Sequence, residues 1–117
     1  MPAYRYEVLF APELVPLILS GEKTLTYRLD DDGLDYLRPG DIVEAINSQT
    51  LGLFARLQVT SVEFTSFGDL PTDRHGNVSH ESKEQQRAVF RGYYGRVVSD
   101  DERVLVLGLR LLTEGMR

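Results

Sequence analysis

No stretch limits the fold of this chain more than Leu53 to Phe64. Leu53, Ala55, Leu57 and Val59 alternate with Phe54, Arg56, Gln58 and Thr60, the period-two pattern of a strand with one face in a core. Past Thr60 the parity flips, and Val62 and Phe64 carry the apolar phase. One strand keeps both sets on the same side only if a residue is inserted between them, so the pattern predicts a bulge or sharp bend near Thr60-Ser61. Long, strongly bent strands are typical of small barrels, whose closure requires curvature. Val104 to Leu112 is an almost continuous apolar run and reads as a buried terminal strand.

Three shorter strands are expected before these two. Tyr4 to Phe10 alternates imperfectly, with Val8 and Phe10 as core residues; Thr24 to Leu29 and Ile42 to Asn47 follow. The turn Leu37-Arg38-Pro39-Gly40-Asp41 leads into Ile42, with proline and glycine at the central positions of a type II geometry. Ser48 to Gly52 makes a hairpin-like connection to the long strand. Ala11-Pro12-Glu13 opens a short helix, because proline and an acidic residue suit a first turn. Leu14, Leu17 and Ile18 share one face of it, and Gly21 sits where a helix end wants a left-handed residue. A second helix is expected from about His80 to Tyr94. Ser82 and Gln85 have capping-box spacing, Val89, Phe90, Tyr93 and Tyr94 form the apolar face, and Gly95 stops it. Single helical turns are expected at Leu34–Leu37 and within Phe67–Thr72, and Asp73 to Ser79 is polar and irregular. The sum is an α+β chain forming one domain over 1–117: a small, closed or nearly closed β-barrel of about five or six strands with two flanking helices.

Bulk properties narrow the function classes. With 42% hydrophobic and 26% charged residues, 117 residues suffice for one ordinary core. There is no cysteine, which excludes disulfides and thiolate metal sites and fits a reducing compartment. Neither a signal-peptide pattern nor an apolar run long enough for a membrane span is present, so a soluble cytoplasmic protein is expected. The net charge of −5 argues against avid, non-specific binding of long polyanions, which needs a basic face. A small ligand, or a short contact at one nucleotide, is easier to reconcile with it. His75 and His80 lack a third ligand at suitable spacing for zinc. Asp30-Asp31-Asp32 lacks the alternate spacing and closing glutamate of a calcium loop. No metal and no cofactor is expected.

Chemistry concentrates at the corner between the first helix and the second strand. Lys23, Thr24, Thr26 and Arg28 fall within six residues. Strand parity puts Thr24, Thr26 and Arg28 on one face and Leu25, Tyr27 and Leu29 on the other. The apolar set seats the strand; the polar set forms a row, with Lys23 at its mouth. A lysine partly buried there loses hydration, so its pKa falls and it can act as a base. A neighbouring threonine hydroxyl can then serve as a nucleophile, a carboxylate can orient the pair or shuttle a proton, and an arginine fork can take a phosphate or a structural carboxylate. The plain alternative is a solvated strand face, with Lys23 and Arg28 paired to acids such as Asp30 and the threonines acting as β-formers. Phe54, on the polar face of its strand, is a candidate for stacking on a base. Asn47, Ser48 and Gln49 can read a base edge or simply shape their loop. Tyr27, Tyr93 and Tyr94 read as packing residues, one of the last two at a cleft rim.

The residues Gly21-Glu22-Lys23-Thr24-Leu25-Thr26-Tyr27-Arg28, after an apolar helix, resemble the Gly-x-Lys-x-x-x-x-Arg signature of the ASCH domain of the PUA-like β-barrel superfamily. The likeness extends to Leu37-Arg38-Pro39-Gly40-Asp41 before a strand, to the long strand after it, and to the late helix ending in Tyr93-Tyr94-Gly95. The Lys-Thr-x-Thr-x-Arg form is most similar to the small bacterial amidohydrolases of N4-acetylcytidine. That resemblance implies a catalytic set of lysine, threonine and glutamate in a pocket for a modified nucleoside. Lys23 and Thr26 take the first two roles, and Thr24 and Arg28 fall to substrate binding. The glutamate is expected just before the late helix. Glu81 is the carboxylate assigned to it, with Glu84 beside it, although a gapless count back from Tyr94-Gly95 ends near Asn77-Val78. The partners implied are a modified nucleoside or a short RNA, because related ASCH proteins are thought to bind or cleave RNA through the same cleft. A non-catalytic RNA- or nucleotide-binding module, or a protein-interaction barrel, are the competing expectations.

Overall fold

The computed structural model describes residues 6–112. Strand β1 (Tyr6–Phe10), helix α1 (Val15–Leu19), β2 (Leu25–Leu29), β3 (Ile42–Asn47), β4 (Leu53–Ser66), helix α2 (Lys83–Tyr94) and β5 (Arg103–Leu111) follow in chain order. Short 3-10 turns lie at Pro12–Leu14, Asp30–Asp32 and Phe67–Asp69. The five strands form one curled sheet, a half-barrel, in the order β1-β3-β4-β5-β2. β1 runs parallel to β3, and every other pair is antiparallel. The architecture is α+β, with five strands at the lower end of the expected count. Tyr4 and Arg5 of the expected first strand lie outside the described residues.

The predicted break in β4 is present. Its pairing with β5 runs through Val59 opposite Leu109 and resumes at Ser61 opposite Gly108, which leaves Thr60 as the inserted residue. Gly108 is the partner this bulge requires. A Cβ there would fall 2.4 Å from Ser61 Oγ and 2.6 Å from Thr60 Oγ1. Leu57 and Val59 before the bulge and Val62 after it therefore reach the same interior. A second irregularity, between Ala45 and Ile46 of β3, was not visible in the alternation. Ala45 pairs with Ala55 and Ile46 with Leu53, so Phe54 is skipped. It turns edge-on to Phe10 at 6.2 Å between ring centroids instead of standing on an open face.

Two cores flank the sheet. Val8, Phe10, Ile18, Leu37, Val43, Leu57, Val59, Leu105 and Leu107 fill the barrel interior. Leu25, Tyr27, Leu29, Phe67, Phe90, Val104 and Val106 pack on the other side, beneath α2. β5 supplies alternate residues to both, which is why its sequence shows an unbroken apolar run rather than alternation. The turn before β3 has the expected geometry, with Gly40 at φ +97° and the Asp41 N–H on the Arg38 carbonyl at 3.0 Å. α2 begins at Lys83, three residues later than expected, with Ser82 as its cap accepting from the Gln85 N–H at 3.0 Å. Gln85 reaches back to the N–H of Glu81 rather than to that of Ser82. Leu34–Leu37 is a hydrogen-bonded turn, not a helix; the helical turn lies upstream, at Asp30–Asp32.

Candidate functional site

The corner that carries Lys23 is built by backbone geometry. Gly21 adopts φ +84°, a conformation open to glycine at little cost. The chain then doubles back so that the Lys23 N–H donates to the Leu17 carbonyl, at 3.0 Å. This turns the Lys23 side chain inward, where only 8% of its surface stays exposed. Its Nζ donates to the Leu25 carbonyl at 2.6 Å and to Asn77 Oδ1 at 2.5 Å. Asn77 arrives on the polar segment before α2, which docks on the start of β2: the N–H groups of Thr24 and Leu25 both donate to the Gly76 carbonyl, at 2.7 and 3.0 Å. Gly76 has φ +92°, and a Cβ there would lie 2.4 Å from Thr24 Oγ1. Conformation and close approach both require glycine at this position.

β2 divides as its parity predicts. Leu25, Tyr27 and Leu29 join the core under α2, and Thr26 and Arg28 take the opposite face. Thr26 is buried, and its Oγ1 accepts from Arg28 Nε at 2.9 Å. The Arg28 guanidinium lies 4.8 Å from the centre of the Phe10 ring, donates to the Leu9 carbonyl at 2.7 Å and pairs with Asp32 at 3.2 Å. Since β1 and β2 are the two edges of the sheet, Arg28 clasps the open seam of the half-barrel. Tyr94 supports the same seam from α2. Its hydroxyl accepts from the Leu29 N–H at 3.1 Å and donates to Asp32 at 2.8 Å.

A cavity of about 300 Å³ opens at this seam, within the size range of small-molecule sites. Lys23, Thr26, Arg28, Asn77 and His80 give it polar groups; Leu9, Leu14, Val89, Phe90, Tyr93 and Tyr94 give it apolar and aromatic walls. Lys23 governs its electrostatics. Burial, with the nearby Arg28 charge adding to it, lowers the amine from 10.5 to about 7. Both its hydrogen-bond acceptors are neutral, and among the described residues no carboxylate is bonded to it. A neutral amine has two N–H groups, and these two acceptors take both, which leaves the nitrogen lone pair for chemistry. His80 is held below its ordinary value by burial and by the Lys23 and Lys83 charges, so it too favours the neutral form. Burial pushes the Tyr94 hydroxyl well up, and Asp32 beside it acts in the same direction. Tyr27 is also raised, by burial first; its shielded hydroxyl completes no hydrogen bond, although the Asn77 side chain comes near.

The structure thus brings Lys23, Thr26 and Arg28 together and leaves three other expected residues outside. Thr24 is exposed and serves as the docking point for Gly76. Phe54 packs on Phe10 and does not line the cavity. Glu81 is exposed at the entrance to α2, off the cavity wall. The side chain that meets Lys23 from this segment is Asn77, four residues earlier. His80 is half-buried and lines the cavity. The counted spacing back from Tyr94-Gly95 was the signal that pointed to Asn77; nothing local marked His80 or Asp32. Asn47, the last residue of β3, shapes the following turn, its Oδ1 accepting from the N–H groups of Gln49 and Thr50, whereas Ser48 reaches the cavity. Among the described residues no three His, Asp or Glu side chains converge as a metal site would require, and no helix is long and apolar enough to cross a membrane.

Solved structures share this architecture. A hypothetical protein, PH0355, superposes with a TM-score of 0.74 at 20% identity, over 93% of this chain and all of that one. An ASCH domain from Lactobacillus crispatus gives 0.69 at 14% identity, over 92% of this chain and 79% of its own. The fold is that of the ASCH domain. ASCH from Zymomonas mobilis agrees, at 0.58 and 16% identity, over 91% of this chain and 66% of that protein. No family model and no curated protein sequence matches the chain. At these identities the ASCH likeness speaks for the backbone alone, and the chemistry of the cavity has to be argued from its own residues.

Proposed function

We propose that the ASCH cavity binds a modified pyrimidine nucleoside of the N4-acetylcytidine type and hydrolyses its exocyclic amide. The observation that carries this reading is a buried lysine, held only by neutral acceptors, on the same cavity wall as a buried threonine. Neutral Lys23 takes the Thr26 hydroxyl proton as Oγ1 attacks the acyl carbon. Arg28 Nε, already donating to Oγ1, favours the developing alkoxide. The Lys23 ammonium then gives its proton to the departing exocyclic nitrogen as the C–N bond breaks, releasing the free amine. Water, deprotonated by the regenerated Lys23, cleaves the Thr26 ester and frees the carboxylic acid. One water is consumed, and the side chains return to their starting state. The aromatic wall of Phe90, Tyr93 and Tyr94 offers stacking and apolar contact to a base.

Incubation of the purified protein with N4-acetylcytidine, followed by an assay for released acetate, tests the proposal. Turnover is expected, with loss of at least about 100-fold in Lys23→Ala and in Thr26→Ala, in line with removal of a general base or a nucleophile. Absence of turnover, or turnover unchanged in Lys23→Ala, overturns it. One observation favours a second reading, a binding module without catalysis. The group facing Lys23 is an amide, which carries no proton to a leaving group, and Asp32, the carboxylate on the wall, is engaged by Arg28 and Tyr94. That reading expects short RNA or nucleoside binding that weakens with salt and in Arg28→Ala, with no product.

A further inference from the structure

We propose that Asn77 is the positioning residue that leaves Lys23 without a counter-ion and so available as a base: its neutral carbonyl oxygen occupies the place from which a carboxylate would pair with the amine. The inference rests on the reading of Lys23 as the base of the site and explains how that base is available.

The geometry supplies the argument. Asn77 Oδ1 stands 2.5 Å from Lys23 Nζ, and the Leu25 carbonyl stands 2.6 Å away on the strand side. Neither acceptor carries charge, so an ammonium at this depth would be desolvated without a counter-ion. The charged and titratable groups around it reinforce the point. From β2, Arg28 presents a second cation and Tyr27 a neutral phenol; from the segment before α2, His80 faces the same cavity. From α2 come the hydroxyls of Tyr93 and Tyr94, both raised by burial first and so held neutral. Asp32 completes the wall, and its charge is taken up by Arg28 and Tyr94. Glu22, next in sequence, is exposed and bonded to Ser20.

The position of Asn77 is fixed independently of Lys23. The carbonyl of Gly76 accepts two β2 N–H groups, and Asn77's own N–H donates to the Arg74 carbonyl at 3.2 Å. The amide therefore meets the lysine on a braced backbone. Lys83 gives an internal contrast. Its Nζ donates to three acceptors, Phe67 O, Leu70 O and Gln86 Oε1, and lies 4.7 Å from the centre of the Phe67 ring. Burial lowers this amine too, and its acceptors are also neutral, but they match all three N–H groups of an ammonium, whereas the two at Lys23 match the two of a free amine.

The chain has two lysines, so carbon-13 lysine labelling yields two Cε signals, assigned with Lys83→Arg, and their titration reads each amine directly without substrate. Asn77→Asp is near-isosteric and adds one negative charge. It is expected to raise the Lys23 midpoint by about 1–3 pH units, the effect of an opposite charge at contact distance. Asn77→Ser retains a neutral oxygen and is expected to leave the midpoint within about half a unit of wild type, since no charge is added. An unchanged midpoint in folded Asn77→Asp overturns the proposal. So does a rise of about one unit or more in folded Asn77→Ser, a readout that stands even should the aspartate variant not fold. If the protein turns over N4-acetylcytidine, the ascending limb of its pH–rate profile is expected to move with the Asn77→Asp midpoint. If it turns over nothing, the titration still decides the role of Asn77, so the two readings fail separately.

Discussion

Lys23→Met offers a quantitative test of the site that needs no substrate. In the unfolded chain the amine has its ordinary value of 10.5; in the native protein it titrates at about 7. Between these values the unfolded state holds more protons than the native one, so stability rises with pH. The penalty is fully present below about pH 7 and is gone above the unfolded value. Its full size is the shift converted at 1.36 kcal/mol per unit, about 5 kcal/mol. Integrated across the window from pH 6 to pH 9, the wild type is expected to gain about 3 kcal/mol relative to Lys23→Met. Methionine fills nearly the same volume and has no charge to desolvate, so its own profile removes the contribution of every other titrating group. Urea denaturation of both proteins at four or five pH values gives the difference directly, provided the m-values agree. A difference between the two proteins that stays flat across the window refutes the argument, because it would mean that the native lysine keeps its solvent.

Three further outcomes follow from named contacts. If the cavity is catalytic, log kcat is expected to rise with pH and level off above about pH 7, since the working form of Lys23 is the neutral one; a rate that falls through this range contradicts a lysine base. Gly76→Ala is expected to cost about 1–3 kcal/mol through strain at positive φ and the clash with Thr24 Oγ1, and to loosen the Asn77 contact, which thermal unfolding and the Lys23 titration would register. Tyr94→Phe removes an acceptor for the Leu29 N–H and a donor to Asp32; a loss of about 1–3 kcal/mol in denaturant unfolding is expected from leaving a partly buried amide unpaired.

Much of the fold was legible because it is written in periodicity. The parity flip at Thr60-Ser61 located the bulge, and the apolar run in β5 marked a strand wanted by two cores. What the alternation hid was the skipped Phe54. A bulge that turns an aromatic inward leaves an apolar residue where parity expects an exposed one, and an exposed aromatic looks the same in sequence. The candidate site was half legible for a similar reason. Lys23, Thr26 and Arg28 lie on one corner and one strand, where local geometry decides their direction. Their neighbours in the cavity, Asn77 and His80, come from far downstream (Asn77 is 54 residues beyond Lys23) on a segment with no period of its own, and its course depends on Gly76 meeting Thr24 across the fold. Glu81 had the expected chemistry, but the chain turns past the cavity before reaching it.

The seam of the half-barrel has a consequence for behaviour in concentrated solution. A curled sheet that stops short of closure keeps two edge strands, and bare edges invite pairing with another chain. Here side chains occupy part of each edge: Arg28 takes the Leu9 carbonyl of β1, and Tyr94 takes the Leu29 N–H of β2. The same two residues line the cavity. The wall of the cavity and protection against strand-to-strand aggregation thus depend on one pair of side chains. Attempts to re-engineer the cavity through either of them will change how the protein tolerates crowding, even when its fold and melting temperature are preserved.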